Sequence, residues 1–399
     1  TRAEQRSMHI SNWRYFICSA LVLIGLCVER SSAGPFSSSF LSAVLPPMQA
    51  FPDSQGESKG MEGVTGSTAS VDMGDWNEYF AKSSMVRYQV IAAPGMEGLA
   101  RRLAQQYPKR FLYHETHWGK FPDGTDNIEV GGFQPVNRIA SENVLMLASF
   151  HNNDVTLSQF SVMITLLQSF VQSLTVVLPF YPVGTMERVV QEGQVATANS
   201  YAQMFSNLPS CGKPTRLVIY DLHTLQNRFY LHGNAIASLQ TSVPLLIDYI
   251  RGSNVDCVAF PDDGAAKRFG QMFQDLGLEV VTCGKMRDGD RRVVTIQDGS
   301  AAGKNVVIVD DLVQTGGTLY ECGMALKAAG ATSVSAFVAH AVFPNQSWRR
   351  FLRGSDRGCF DKFLVTNSIP TVTDSIPRDD VFTVLDLSNK IVEDLDKYS

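Results

Sequence analysis

From residue 86 onward, short apolar runs rich in β-branched residues alternate with segments of helical period. The runs fall at 86–92, 143–149, 174–180, 216–220, 255–260, 278–282, 305–309 and 334–340. Runs this short and this uniformly apolar suit strands covered on both faces, the condition of a parallel sheet. Between them lie expected helices near 96–107, 154–173, 192–207, 241–251, 264–276 and 317–329. The segment from Asp154 to Ser173 is apolar nearly all round, through Val155, Leu157, Phe160, Ile164, Leu167 and Val171, and is expected to lie buried between layers. A βαβ order repeated this often implies an α/β fold with more than one sheet. In such sheets ligands bind beyond the carboxyl ends of the strands, so chemistry is sought there.

Length and composition narrow the reading further. At roughly 100–200 residues per domain, 399 residues make two or three domains. A hydrophobic share of 44% excludes a disordered chain, and the absence of any short repeat excludes a solenoid. The net charge of −5 argues against a general nucleic-acid coat, so no nucleic acid is expected as a partner. Cys18, Cys27, Cys211, Cys257, Cys283, Cys322 and Cys359 are scattered, odd in number and form no C-x-x-C pair. Neither a disulfide framework nor a zinc site is indicated, and the working part reads as a soluble enzyme of a reduced compartment.

Residues 1–83 read as a leader and linker. With Met8 taken as the start, His9 and Arg14 precede a 14-residue apolar run from Tyr15 to Val28. That is short of the ~20 residues a membrane-spanning helix needs but fits a signal-peptide core. Ser31, Ser32 and Ala33 offer a cleavage site, and residues 31–52 hold six Ser, four Pro and no acid. The stretch reads either as a two-part organelle address or as an unselected leader, which leaves a cytoplasmic or an organellar (plastid-like) compartment open. The Gly, Ser and Thr-rich residues from Pro52 to Met73 read as linker. No membrane is expected as a partner of the mature enzyme.

The sharpest chemical signal is the run VVIVDDLVQTGGT at 306–318, followed by a helical segment. Four β-formers raise Asp310 and Asp311 at a strand's carboxyl end, and the turn Thr315, Gly316, Gly317, Thr318 opens the helix. Glycines let the backbone bend and approach a ligand, and N–H groups at a helix start form an anion nest. One element thereby offers donors for a phosphate and, a few residues earlier, acceptors for hydroxyls, the two needs of a sugar phosphate. A plain strand–turn–helix would also take glycine there but has no need for paired acids ahead of two threonines.

Three other segments end strands or follow them. The first is Tyr220, Asp221, Leu222 and His223, with Gln226, Phe229 and Tyr230 beyond; taken alone, His223 reads first as a satisfied core histidine. The second runs from Phe260 through Pro261, Asp262 and Asp263 to Gly264, with Lys267 and Arg268 next in the helix. Its carboxylate either binds magnesium or caps the helix. The third, 283–292, sets Lys285, Arg287, Arg291 and Arg292 against Asp288 and Asp290. A charged loop is usually solvated surface, but phosphoryl transfer needs cations that arrive and then release product, and Gly284 and Gly289 would serve as hinges.

In their order these segments resemble the ribose-phosphate diphosphokinases (phosphoribosyl pyrophosphate synthetases), and most closely their class II, plant-like branch. The resemblance runs from Val86 to Leu395 and includes WGKFPDG at 118–124, LPFYPVGTMER at 178–188, FPDDGAAKRF at 260–269 and HAVFPNQSW at 340–348. The 306–318 run itself resembles the phosphoribosyl diphosphate loop of type I phosphoribosyltransferase-like proteins. The resemblance implies two tandem domains of that fold, 84–234 and 235–399, with mainly parallel sheets covered by helices and the active site in the cleft between them. It implies diphosphoryl transfer from Mg-ATP to the C1 hydroxyl of ribose 5-phosphate, with Mg2+ as cofactor and a homo-oligomeric assembly.

Position by position, the resemblance implies that Asp310 and Asp311 hold the ribose hydroxyls and that Thr315, Gly316, Gly317 and Thr318 cradle the 5-phosphate. It implies His223 and Asp262 as metal-site residues, Lys285 and Arg287 as the catalytic cations, and Phe121 and Asp123 as adenine contacts, often across a subunit boundary. Gly184, Thr185, Met186, Glu187 and Arg188 depart from the Ala-Arg-Gln-Asp-Arg stretch of the commoner bacterial branch, which leaves nucleotide reading and phosphate control open. A synthetase-associated regulatory subunit, or a purine or pyrimidine phosphoribosyltransferase, are the alternatives. The last strand and helix, about 381–397, are expected to pack back on the first domain.

Overall fold

The computed structural model describes residues 86–397 apart from 289, 290 and 379, and for strand residues 285–288 and 291–293 the backbone alone. The leader and linker expected at 1–83 lie outside the described residues. The chain runs β1 (Tyr88–Ala92), α1 (Glu97–Gln106), β2 (Phe111–His114), β3 (His117–Lys120), β4 (Asp126–Glu129), β5 (Asn143–Leu147), α2 (Asn153–Leu167), β6 (Ser173–Leu178), α3 (Thr197–Ser206), β7 (Thr215–Tyr220) and β8 (Ala235–Gln240). It continues through α4 (Val243–Arg251), β9 (Cys257–Phe260), α5 (Asp263–Gln274), β10 (Glu279–Asp288), β11 (Arg291–Asp298), β12 (Asn305–Val313), α6 (Gly317–Ala328), β13 (Ser333–Ala341), β14 (Phe363–Thr366), α7 (Pro370–Thr373), β15 (Phe382–Leu385) and α8 (Ser388–Asp396).

Two large sheets result. The first has the order β2-β1-β5-β6-β7-β8 and is parallel throughout. The second has the order β11-β10-β9-β12-β13-β14-β15 and is parallel except at its β10–β11 edge. Strands β3 and β4 form a separate antiparallel hairpin. Both sheets are apolar on both faces, because successive strand side chains point to opposite sides. Val144 and Met146 join one core while Leu145 and Leu147 join the other. In the second sheet, Val306 and Ile308 separate from Val307 and Val309 in the same way.

The sheets shift the expected boundaries. β8 extends the first sheet past residue 234, so the change of sheet comes between Gln240 and Val243. Its sequence, AIASLQ, carries too little apolar bulk to stand out as a strand. At the other end, β15 pairs with β14 in the second sheet, whereas α8 alone returns to the first, where Ile391 and Leu395 join the core of Val90, Leu103 and Val218. Helix α2 also differs from its expectation. It ends at Leu167 and lies on one face of its sheet, burying Phe160, Met163 and Leu166 and leaving Leu157 60% and Ile164 38% exposed. Among the described residues no helix is long and apolar enough to cross a membrane.

The charged segment 283–292, expected as a loop, has instead the backbone of a hairpin. β10 runs through Asp288, with Cys283 to Met286 paired to the β-formers Val293 to Ile296 of β11 and Arg287 and Asp288 to Arg292 and Arg291. Lys285 stands opposite Val294 and Arg287 opposite Arg292 in the register.

Candidate active site

Strand β12 carries Asp310 and Asp311 and hands the chain to the turn that starts α6. Gly316 is the N-cap of α6 with φ +69°, a left-handed conformation that side chains rarely adopt, and a Cβ there would collide with the Phe351 ring. The glycine is therefore required by backbone and packing alike. The turn and the two acids line a cleft of about 590 Å³ with Thr185, His223 and Asp262. His223, Asp262, Asp310 and Asp311 also line an adjoining cleft of about 770 Å³, whose lining includes Arg188, Lys267 and Arg268 as well. The two compartments thus share an acidic wall, to which the first adds the glycine–threonine turn and the second three cations.

The shared wall joins the two sheets. His223 follows β7, and its Nδ1 lies 2.6 Å from Oδ2 of Asp311 on β12. Arg268, on α5, donates to the same oxygen at 3.3 Å and to the His223 carbonyl at 3.4 Å, while its guanidinium lies 4.6 Å from the Phe269 ring centroid. The hydrogen bond to Asp311 is the main cause that raises the His223 pKa above its ordinary value. Burial pushes the Asp311 carboxyl upward, but the His223 hydrogen bond and the nearby cations hold it below the usual carboxylate range. Asp310 behaves in the opposite sense. Burial, then the charge of Asp311, raise it well above that range. Adjacent acids driven apart in this way suit a site in which one stays ionised and the other ionises only when a ligand or cation arrives.

Asp262 proves to be the N-cap of α5, with Oδ1 accepting from Ala265 N at 2.9 Å, and it faces both clefts as well. Thr315, Gly316, Gly317 and Thr318 all reach the first cleft. Phe121 and Asp123 do not come to either. They sit in the turn of the β3–β4 hairpin, where Phe121 is 50% exposed and Asp123 accepts from Thr125 N at 3.0 Å and Oγ1 at 2.6 Å. Lys285 and Arg287 lie on the β10 backbone, and their side chains fall outside the described residues.

Two groups named in the sequence had no role in the site assigned to them there. Arg268 is one; its partners are 43 and 45 residues away, and only folding brings them together. Glu187 is the other. It accepts from Thr224 Oγ1 at 3.1 Å, and its carbonyl accepts from Tyr230 Oη at 3.3 Å, tying the 182–188 segment to the His223 turn. Its position in the departing GTMER stretch was the available signal.

Comparison with known proteins agrees with this geometry. Residues 244–361 match the phosphoribosyl transferase domain family. Ribose-phosphate pyrophosphokinase 4 of Oryza sativa subsp. japonica is 44% identical over 287 residues, covering 70% of this chain and 86% of that one. The chloroplastic ribose-phosphate pyrophosphokinase 3 of Arabidopsis thaliana is 42% identical over 286 residues, covering 70% and 68%. In fold, the phosphoribosylpyrophosphate synthetase from Mycobacterium smegmatis superposes with a TM-score of 0.64 at 22% identity, over 77% of this chain and 97% of that one. Identity at this level over most of the relatives' length, together with the paired sheets and the acid–glycine turn, establishes that the chain belongs to the ribose-phosphate pyrophosphokinase family.

Proposed function

We infer that this chain is a ribose-phosphate diphosphokinase that moves the diphosphoryl group of ATP to the C1 hydroxyl of ribose 5-phosphate. The observation that carries the reading is a pair of adjoining clefts that share an acidic wall, one adding the glycine–threonine turn and the other three cations. The sugar phosphate takes the first cleft, with its 5-phosphate on Thr315–Thr318 and its hydroxyls on Asp310 and Asp311. The polyphosphate of ATP takes the second, against Arg188, Lys267 and Arg268. The anomeric oxygen then attacks the β-phosphorus. A new O–P bond forms at C1, the bond from the β-phosphorus to the bridging α–β oxygen breaks, AMP leaves as its anion and the hydroxyl proton passes to solvent. No covalent enzyme intermediate is needed, so the levers are positioning and charge neutralisation.

Mg2+ suits this wall. Among the described residues no three His, Cys, Asp or Glu side chains converge as a self-contained metal cage. The donors present, Asp262 and Asp310 carboxylates with His223 beside them, fit a hydrated ion held by one or two carboxylates and by substrate phosphates. Bound there, the ion would neutralise phosphate charge. Asp311 keeps His223 oriented through Nδ1 and leaves the rest of the ring facing the clefts.

Lys285 and Arg287 are assigned to the transition-state charge, from a hairpin arm at the sheet edge. The β3–β4 turn lines neither cleft of its own chain, which favours a nucleotide contact made across a subunit boundary of a homo-oligomer. Two tandem sheets, 86–240 with α8 and 243–385, exceed what a single-domain phosphoribosyltransferase requires. The signal-like run and Ser-rich stretch ahead of residue 84 fit delivery to an organelle. Incubating purified protein with Mg-ATP and ribose 5-phosphate and measuring AMP tests the reading. Stoichiometric AMP is expected, and release of ADP or no turnover would contradict it.

A further inference from the structure

The stretch HAVFPNQSW and the residues after it have no part in the chemistry above, yet they pack against the turn that opens α6. Ser347 Oγ donates to the Gln314 carbonyl at 3.1 Å, and Arg357 donates to the Thr315 carbonyl at 3.1 Å. The Phe351 ring fills the space against Gly316. Two consecutive carbonyls of the turn are therefore held by one segment. In a trans peptide the C=O and the following N–H point in opposite directions, so fixing these two oxygens turns the N–H groups of Thr315 and Gly316 away from the segment. Among the described residues the Gly316 N–H has no acceptor.

The segment is itself tightly held. Phe343, Asn345 and Gln346 have φ of 37°, 54° and 57°, left-handed values that persist only where the surroundings impose them. Phe343 and Phe351 are anchored on the second sheet's core through Phe363 and Phe382. Arg357 is fixed from three sides. Its N–H donates to the Arg350 carbonyl at 3.0 Å, its own carbonyl accepts from Cys359 N at 2.7 Å, and its guanidinium lies 5.5 Å from the Tyr320 ring centroid. The neighbouring acid, Asp356, is taken by Arg350 at 2.8 Å and leaves the Arg357 guanidinium for the turn.

We propose that residues 343–359 are a brace for the phosphate-holding turn and that Arg357 is a positioning residue for ribose 5-phosphate, acting through the Thr315 peptide. The inference rests on the reading that Thr315–Thr318 receives the sugar's phosphate. The test uses the full chain and compares Arg357→Ala, Arg357→Lys and Thr318→Val by KM for ribose 5-phosphate, KM for ATP and kcat. Arg357→Ala is expected to raise the ribose 5-phosphate KM about tenfold while the ATP KM stays within about twofold. Arg357→Lys, which keeps a charged donor, is expected to recover most of the loss. A general structural defect would move both KM values together, and that result, an unchanged ribose 5-phosphate KM or a lysine variant no better than alanine would overturn the proposal. Thr318→Val separates the two levels. If it weakens ribose 5-phosphate and Arg357→Ala does not, the brace alone fails; if neither does, the sugar-phosphate reading fails with it.

Discussion

The two sheets end their strands with acids of opposite fate. After β7, Asp221 adopts φ +40° and spends its carboxylate on the start of α4, accepting from Thr241 Oγ1 at 2.6 Å and Ser242 N at 2.8 Å. Asp394 on α8 is likewise closed. It is fully buried and accepts from Tyr220 Oη at 3.0 Å, Lys397 Nζ at 2.7 Å and Lys390 Nζ. On the second sheet, Asp310 accepts from Asp311 N at 2.9 Å and opens onto two clefts. An acid whose oxygens are all spent inside the fold holds structure together. An acid buried beside another acid and left facing a cleft is a place for a ligand.

The largest expected effect on turnover lies on the open side. Lys285→Ala should lower kcat at least about a hundredfold, the cost of removing one electrostatic donor, with the melting temperature unchanged. Steady-state kinetics beside calorimetry checks it, and normal turnover would break the assignment of that hairpin. On the closed side the effect should move from rate to stability. Asp394→Ala leaves the buried Lys390 only the exposed Glu393, 3.9 Å away, and should cost about 3 kcal/mol in urea unfolding, because a buried charge loses its close partner. Asp221→Asn keeps an acceptor but loses charge and should cost about 1.5–3 kcal/mol, with both KM values near those of the parent. A catalytic defect from Asp221→Asn at unchanged stability would erase the distinction between the sheets.

The smallest effect joins the two sides. Folding raises the His223 pKa and lowers that of Asp311, so their bridge contributes fully between the ordinary carboxylate range and the ordinary imidazole value. The contribution fades as pH rises through the raised His223 value, and again as pH falls through the lowered Asp311 value. His223 is half-exposed, so screening should keep the amplitude below about 1 kcal/mol. Unfolding of the metal-free protein at successive pH values, with His223→Asn as reference, measures it; an identical profile in the variant would remove the bridge from the account.

The same contrast explains what the sequence made legible. β12 and its turn could be read because strand, acids, glycines and threonines are consecutive, and a local pattern suffices to predict a local structure. The paired parallel sheets followed from runs such as VLML and TVVL, which are apolar on both faces. β8, with only AIASLQ to show, and the hairpin β3–β4, with HWGK and DNIE, lack that signature, since neither is buried on two sides. Arg268 and Arg357 were invisible as site elements because each acts on a partner more than 40 residues away. The exposed Leu157 and Ile164 misled in the other direction, because an apolar residue need not face the core.

The open acid of β12, and not its closed counterpart after β7, is the one that holds ribose 5-phosphate. Isothermal titration of ribose 5-phosphate into the parent protein, Asp310→Asn and Asp221→Asn tests it most directly. Binding should weaken by at least about tenfold in Asp310→Asn and stay unchanged in Asp221→Asn. Equal affinity in the parent and Asp310→Asn, or a loss confined to Asp221→Asn, would contradict it.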